Sequence, residues 1–245
     1  MLLTASELLK ESLGLYRKQF WLFVGYAAWL LVPFAAFVIL MSTPEHPVIL
    51  GLAILAALGQ LFVGLWITIT IILLTKQLAE ETPLDTAQTS RNALMGIQNL
   101  LATIFLQILV ILGGFLLLII PGIIFSIWYG LAQTAAVIDG KRPIDALSTS
   151  RSLVRGRFAP VAWRMISVPI GMWIVYSIIV GGAIYIIAAL AGLDPVAVLS
   201  DEPTIWVEIL QAVGEIFLIP LALIYSTLLY LDLKNHPLEA PEKVA

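Results

Sequence analysis

Five long stretches of the chain carry no charged residue: Gln19–Pro44, His46–Thr75, Asn92–Ile138, Met165–Leu193 and Ile216–Leu231. A bilayer's hydrocarbon is about 30 Å thick and accommodates a helix of about 20 mostly apolar residues, because each backbone polar group there must be bonded within its own segment. The third stretch is too long for one crossing, since a single helix of that length would run about 70 Å. Pro121-Gly122 near its middle predicts a tight hairpin. Six spans result, roughly Trp21–Leu40, Val48–Leu74, Leu100–Leu118, Ile123–Val137, Ile166–Ala189 and Val213–Leu231. The predicted fold class is all-α, a polytopic six-helix membrane protein forming one domain over residues 1–245.

Composition agrees with that pattern. Of 245 residues, 60% are hydrophobic and 12% charged, and mean hydropathy is +1.01, against about 25% charge in an ordinary soluble domain. A net charge of −3 from 13 Lys+Arg and 16 Asp+Glu gives no basic surface for nucleic acid. The absence of cysteine excludes disulfides, thiolate metal sites and thiol nucleophiles. With six spans, every Lys and Arg falls on one side, while Glu45, Asp194, Asp201, Glu202 and Glu208 fall on the other. Basic residues in short loops stay cytoplasmic, so both termini are expected in the cytoplasm and the first apolar segment is read as an uncleaved span.

Self-similarity organises the chain further. Thr82-Pro83-Leu84-Asp85 and Arg142-Pro143-Ile144-Asp145 lie 60 residues apart, and the same offset pairs Thr89-Ser90-Arg91 with Thr149-Ser150-Arg151 and Gly96 with Gly156. Pro at the first helical position loses no hydrogen bond, and an Asp in the first turn meets free amides, so both segments read as helix starts, with Pro83, Asp85, Pro143 and Asp145 structural. Thr4-Ala5-Ser6-Glu7 has the capping-box pattern, and His236-Pro237-Leu238-Glu239 is a fourth start. The expectation is three parallel repeats, about 4–81, 82–141 and 142–235, followed by a short tail, 236–245. Each would be a cytoplasmic amphipathic helix followed by a transmembrane hairpin.

In the first unit Leu9, Leu13, Tyr16 and Phe20 form the apolar stripe; Arg91 and Arg151 take the Leu13 position in the other two. A guanidinium there must reach a phosphate headgroup, a carboxylate such as Asp139 or Asp232, or a helix C-terminus. Arg155, Arg157 and Arg164 join Arg151 in the third unit, with Trp163 at interface depth. Arg91, Arg151, Arg155, Arg157, Arg164 and Trp163 are therefore the candidates for binding anionic lipid headgroups or an acidic cytoplasmic protein.

Chemistry is constrained more sharply. His46 and His236 fall on opposite membrane faces, so neither a Ser-His dyad nor a histidine metal cluster can form, and no HExxH, Walker or GxGxxG motif occurs. No enzyme activity, cofactor or metal is expected. Glu208, Gln211 and Glu215 share one helix face, making Glu208 and Glu215 candidates for a transport site. A span beginning near Val213 leaves Glu215 shallow, whereas one beginning at Ile205 puts it near the midplane; the shallow start is preferred because Ala212–Leu231 already suffices. Pro33, Pro169 and Pro220 are expected to kink or unwind their spans, and Gly113-Gly114 and Gly181-Gly182 to permit close helix contact.

Ile120-Pro121-Gly122, Trp128-Tyr129, Pro143-Ile144-Asp145-Ala146-Leu147 and Ser150-Arg151-Ser152-Leu153-Val154-Arg155-Gly156 resemble a loose bacterial family of six-span proteins. It includes YciC-like inner-membrane proteins and the membrane domain joined to some glycerophosphodiester phosphodiesterases. The resemblance implies the six-span fold and a bacterial inner-membrane location, but no phosphodiesterase activity, since that chemistry resides in a separate soluble domain. The sequence thus predicts a non-enzymatic membrane protein that engages lipids or a partner to organise the envelope. The alternative is a small-solute or lipid transporter with a cavity among its hairpins.

Overall fold

A computed structural model describes residues 2–43, 46–200 and 204–237. Glu45, Asp201, Glu202 and the tail from Leu238 lie outside the described residues. Among those described the structure is entirely helical: α1 (Ala5–Lys18), α2 (Phe20–Ala28), α3 (Leu31–Met41), α4 (Pro47–Ala79), α5 (Thr86–Leu117), α6 (Ile119–Tyr129), α7 (Ala132–Asp139), α8 (Pro143–Val154), α9 (Phe158–Leu190), α10 (Pro195–Ser200) and α11 (Ile205–Asn235). Six segments are long and apolar enough to cross a membrane: α2 with α3, α4, α5, α6 with α7, α9, and α11.

Three of the helix breaks follow one rule. Trp29-Leu30, the Leu117-Leu118 junction and Gly156 are each followed, four residues after Trp29, Leu117 and Gly156, by Pro33, Pro121 and Pro160. Each proline occupies the first turn of the next helix, where its missing N–H is not needed, while its ring clashes with the carbonyl four residues back. Pro33 thus splits the first span, as expected. The hairpin reverses at Leu118, which is extended at φ −166° and ψ 158°, and not at Pro121-Gly122, which begin α6. Pro169 and Pro220 lie inside unbroken α9 and α11. Gly114 does permit close approach, since a Cβ there would lie 3.1 Å from the Gly122 Cα, but Gly113, Gly181 and Gly182 face open space.

The break between α6 and α7 has no proline. It is held from outside. The Ser150 hydroxyl on α8, itself fully buried, donates to the Trp128 carbonyl at 2.7 Å and accepts from the Leu131 N–H at 3.1 Å. Gln107 on α5 donates to the Tyr129 carbonyl at 3.0 Å and accepts from Gln133 at 3.0 Å. Both freed carbonyls are therefore satisfied by side chains, as burial requires.

The helix-start signals have mixed outcomes. The Thr4/Glu7 capping box forms, and the two hydrogen bonds from the Thr4 backbone and hydroxyl hold the Glu7 carboxyl below its ordinary pKa. Pro143 opens α8 with Asp145 in its first turn. In the second unit Asp85 is itself the N-cap, accepting from Gln88 N–H, while the Thr82 N–H and hydroxyl bond the Gln77 carbonyl and end α4. Pro83 therefore lies in the connecting turn. The expected amphipathic helix of that unit is continuous with its span as α5, and Gly96 is helical where its counterpart Gly156 turns at φ +87°.

Packing is uneven along the bundle. Buried side chains of α4 other than Ala53 run from Leu65 to Thr75, and those of α11 crowd between Ile224 and Leu233. The densest core thus lies towards the end that carries Lys141, Arg157 and Lys234, called here the basic end. There α1 runs back along α11: the Leu3 N–H meets the Asp232 carboxylate at 3.3 Å, and Phe20 stacks on Phe217 at 6.2 Å. Leu8, Ser12 and Tyr16 are buried, so α1 belongs to the bundle and does not float on the membrane surface.

Candidate functional site

The basic end separates the arginines into two groups. Arg91, Arg151 and Arg155 are exposed, and Arg151 lies over the Trp128 ring at 4.5 Å, pairing with neither Asp139 nor Asp232 among the described residues. Arg157 and Arg164 are each only 8% exposed. Arg157 donates to the carbonyls of Leu153, His236 and Leu233 at 2.9, 2.6 and 2.7 Å, closing the end of α11. Burial lowers its pKa, Asp232 opposes that, and Arg164 adds to the lowering. Asp139, expected as an arginine partner, receives Lys234 at 2.6 Å and the Tyr230 hydroxyl at 2.8 Å. Asp232 receives the Leu3 N–H and lies 3.3 Å from His236 Nδ1. The five arginines are therefore not one site, and Arg157 is part of the fold. Trp163 is exposed, 68% of its surface being free.

The other candidates converge. A crevice of about 780 Å³ lies between α3, α4 and α11, and Glu208, Gln211 and Glu215 all line it. It falls within the 300–1,000 Å³ of small-molecule sites, and like them it is mostly apolar with few polar groups. Leu30 and Phe34, beside the Pro33 break, form part of its wall, and α4 adds Gln60 and Thr68. The Thr68 hydroxyl is occupied by the Gly64 carbonyl at 2.8 Å, whereas Gln60 Oε1 is buried without a hydrogen-bond partner. Glu208 and Glu215 form no ion pair among the described residues. α11 begins at Ile205, not near Val213, as one unbroken helix about 46 Å long. No group of three or more metal-ligating side chains occurs among the described residues.

Gln60 was missed in the sequence, although a lone amide in a charge-free run is a visible signal. Gln107 is the one amide within the third predicted span, Leu100–Leu118, but its role depends on the α6–α7 break.

The fold is that of an all-helical, multi-pass integral membrane protein. Residues 52–233 match a family described as a domain of unknown function, DUF7847, and the chain belongs to that family. The match lends no support to a relationship with YciC-like proteins or the phosphodiesterase membrane domain. No curated protein and no solved structure matches the chain.

Proposed function

We propose that this is a non-enzymatic carrier of a small organic cation in the bacterial cytoplasmic membrane, with the basic end and both termini in the cytoplasm. The observation that supports it is a pair of carboxylates, Glu208 and Glu215, that form no ion pair among the described residues and line a crevice of about 780 Å³ between α3, α4 and α11. Glu215 is exposed and Glu208 half-buried on the crevice wall, where two carboxylates attract positive charge, and the Gln60 carbonyl oxygen adds an unused acceptor. Dense packing at the basic end and a crevice above it resemble one side of an alternating-access cycle, and the Pro33 break supplies a discontinuous helix at the crevice wall.

The test is binding of tetramethylammonium to the full chain in detergent, read as thermal stabilisation, with tert-butanol as the uncharged comparison. At ten times its Kd the cation stabilises by about 1.4 kcal/mol. Glu215→Gln and Glu208→Gln should each weaken that stabilisation, and uptake of methylammonium into proteoliposomes should fall with it. Equal stabilisation by tert-butanol, or stabilisation and uptake untouched in both variants, refutes the proposal. A second role, anchoring to acidic headgroups or an acidic cytoplasmic partner, is supported by the exposure of Arg91, Arg151 and Arg155.

A further inference from the structure

On the opposite side of α11 lies a second groove, about 800 Å³, between α1, α9 and α11. Along α9 it extends from Trp163 to Val180, about 25 Å of helix. Leu13, Met172, Ile179 and Phe217 make most of its wall apolar. Two of its lining groups do not fit that description. The Tyr16 hydroxyl and Ser167 Oγ are both buried and both lack a hydrogen-bond partner, although Tyr16 is only 8% exposed. Three residues before Ser167, the Arg164 side chain is equally buried, its Nη1 is unpartnered, and no carboxylate pairs with it among the described residues.

Buried donors without partners are rare in proteins because each costs about 1–3 kcal/mol, so two on the wall of one groove, with a third one turn before Ser167 on α9, point to an acceptor from outside the chain. A phenol is protonated at neutral pH and so available as a donor, and burial raises the Tyr16 pKa further. The acceptor must bring oxygen atoms to the basic third of the groove and apolar matter to the remainder. From Ser167 to Val180 about 20 Å of helix is free of unpartnered polar groups. A detached phosphate supplies only the first of these, and a fatty chain without a polar head only the second.

We propose that this groove holds one anionic phospholipid, with an acyl chain along α9 and α11 and its ester and phosphate oxygens accepting from Tyr16 and Ser167 beside the Arg164 charge. The site stands apart from the cation crevice and from the exposed arginines, so either can fail without the other. Leu9 and Leu13, which face the membrane in a sequence reading of α1, form its wall.

Native mass spectrometry of the full chain, purified in detergent and offered dioleoyl phosphatidylglycerol, phosphatidylethanolamine or phosphatidylcholine, tests this. Phosphatidylglycerol should be retained several-fold more than phosphatidylcholine. Tyr16→Phe and Ser167→Ala should each reduce retention while lipid-free thermal stability holds or rises, since each variant removes a buried hydroxyl with no partner among the described residues. Gly171→Leu projects a side chain into the groove from a position where a Cβ meets nothing within 4 Å, and its lipid-free melting temperature, measured alongside, should match that of the unmodified chain. This variant should abolish retention of all three lipids. Equal retention of the three by the unmodified chain, or phosphatidylglycerol retention unaffected by Gly171→Leu, overturns the proposal.

Discussion

Replacing Ser150 with alanine removes one oxygen and nothing else, yet that oxygen serves two backbone groups at the α6–α7 break. The Trp128 carbonyl and Leu131 N–H lose partners at 2.7 and 3.1 Å in a fully buried position. In a membrane protein each such bond is worth about 0.6 kcal/mol on average and about 1.7 at most, because the unfolded chain in lipid also finds partners. Ser150→Ala should therefore destabilise by about 1–3 kcal/mol, read as a lowered melting temperature or denaturant midpoint in detergent. Ser152→Ala is the matched control: its hydroxyl is exposed and bonds only the Thr149 carbonyl, so its effect should stay within about 0.5 kcal/mol. Ser150→Thr, which keeps the oxygen, should recover part of the loss. Should Ser150→Ala prove as harmless as Ser152→Ala, Leu131 N–H has closed onto the Ile127 carbonyl and the break does not depend on Ser150.

Gly122→Ala would drive a Cβ into the Phe115 ring at the hairpin and should cost about 1–3 kcal/mol, whereas Gly181→Ala, in open space inside α9, should be neutral or stabilise by up to about 1 kcal/mol. Similar melting temperatures for the two variants would contradict the close approach of α5 and α6. Arg157→Ala should destabilise by about 3 kcal/mol or more by leaving the Leu233 and His236 carbonyls unpaired, with little rescue by Arg157→Lys, which lacks the fork; Arg155→Ala should be silent in the same detergent melt.

How much was legible varied with the kind of signal. Six apolar segments could be read directly, since bilayer thickness imposes their length whatever their neighbours do. Thr4 and Glu7 announced their capping box for a similar reason: both partners lie three residues apart. The arginines were harder. Arg155 and Arg157 are two residues apart and look equivalent in sequence, but one is exposed and the other closes a helix that arrives from almost eighty residues later in the chain. The Glu208–Gln211–Glu215 face was visible by helical period, whereas the crevice facing it required α3 and α4 to come alongside.

The chain's own order of residues determined the spanning segments, their caps and the breaks set by Pro33, Pro121 and Pro160, because each depends on chemistry within about one helical turn. Tertiary structure alone decided the break at Gly130, the burial of Arg157 and Arg164, and the two grooves flanking α11. Those features consist of contacts between residues far apart in sequence, and no local period or propensity encodes which helix will arrive to make them.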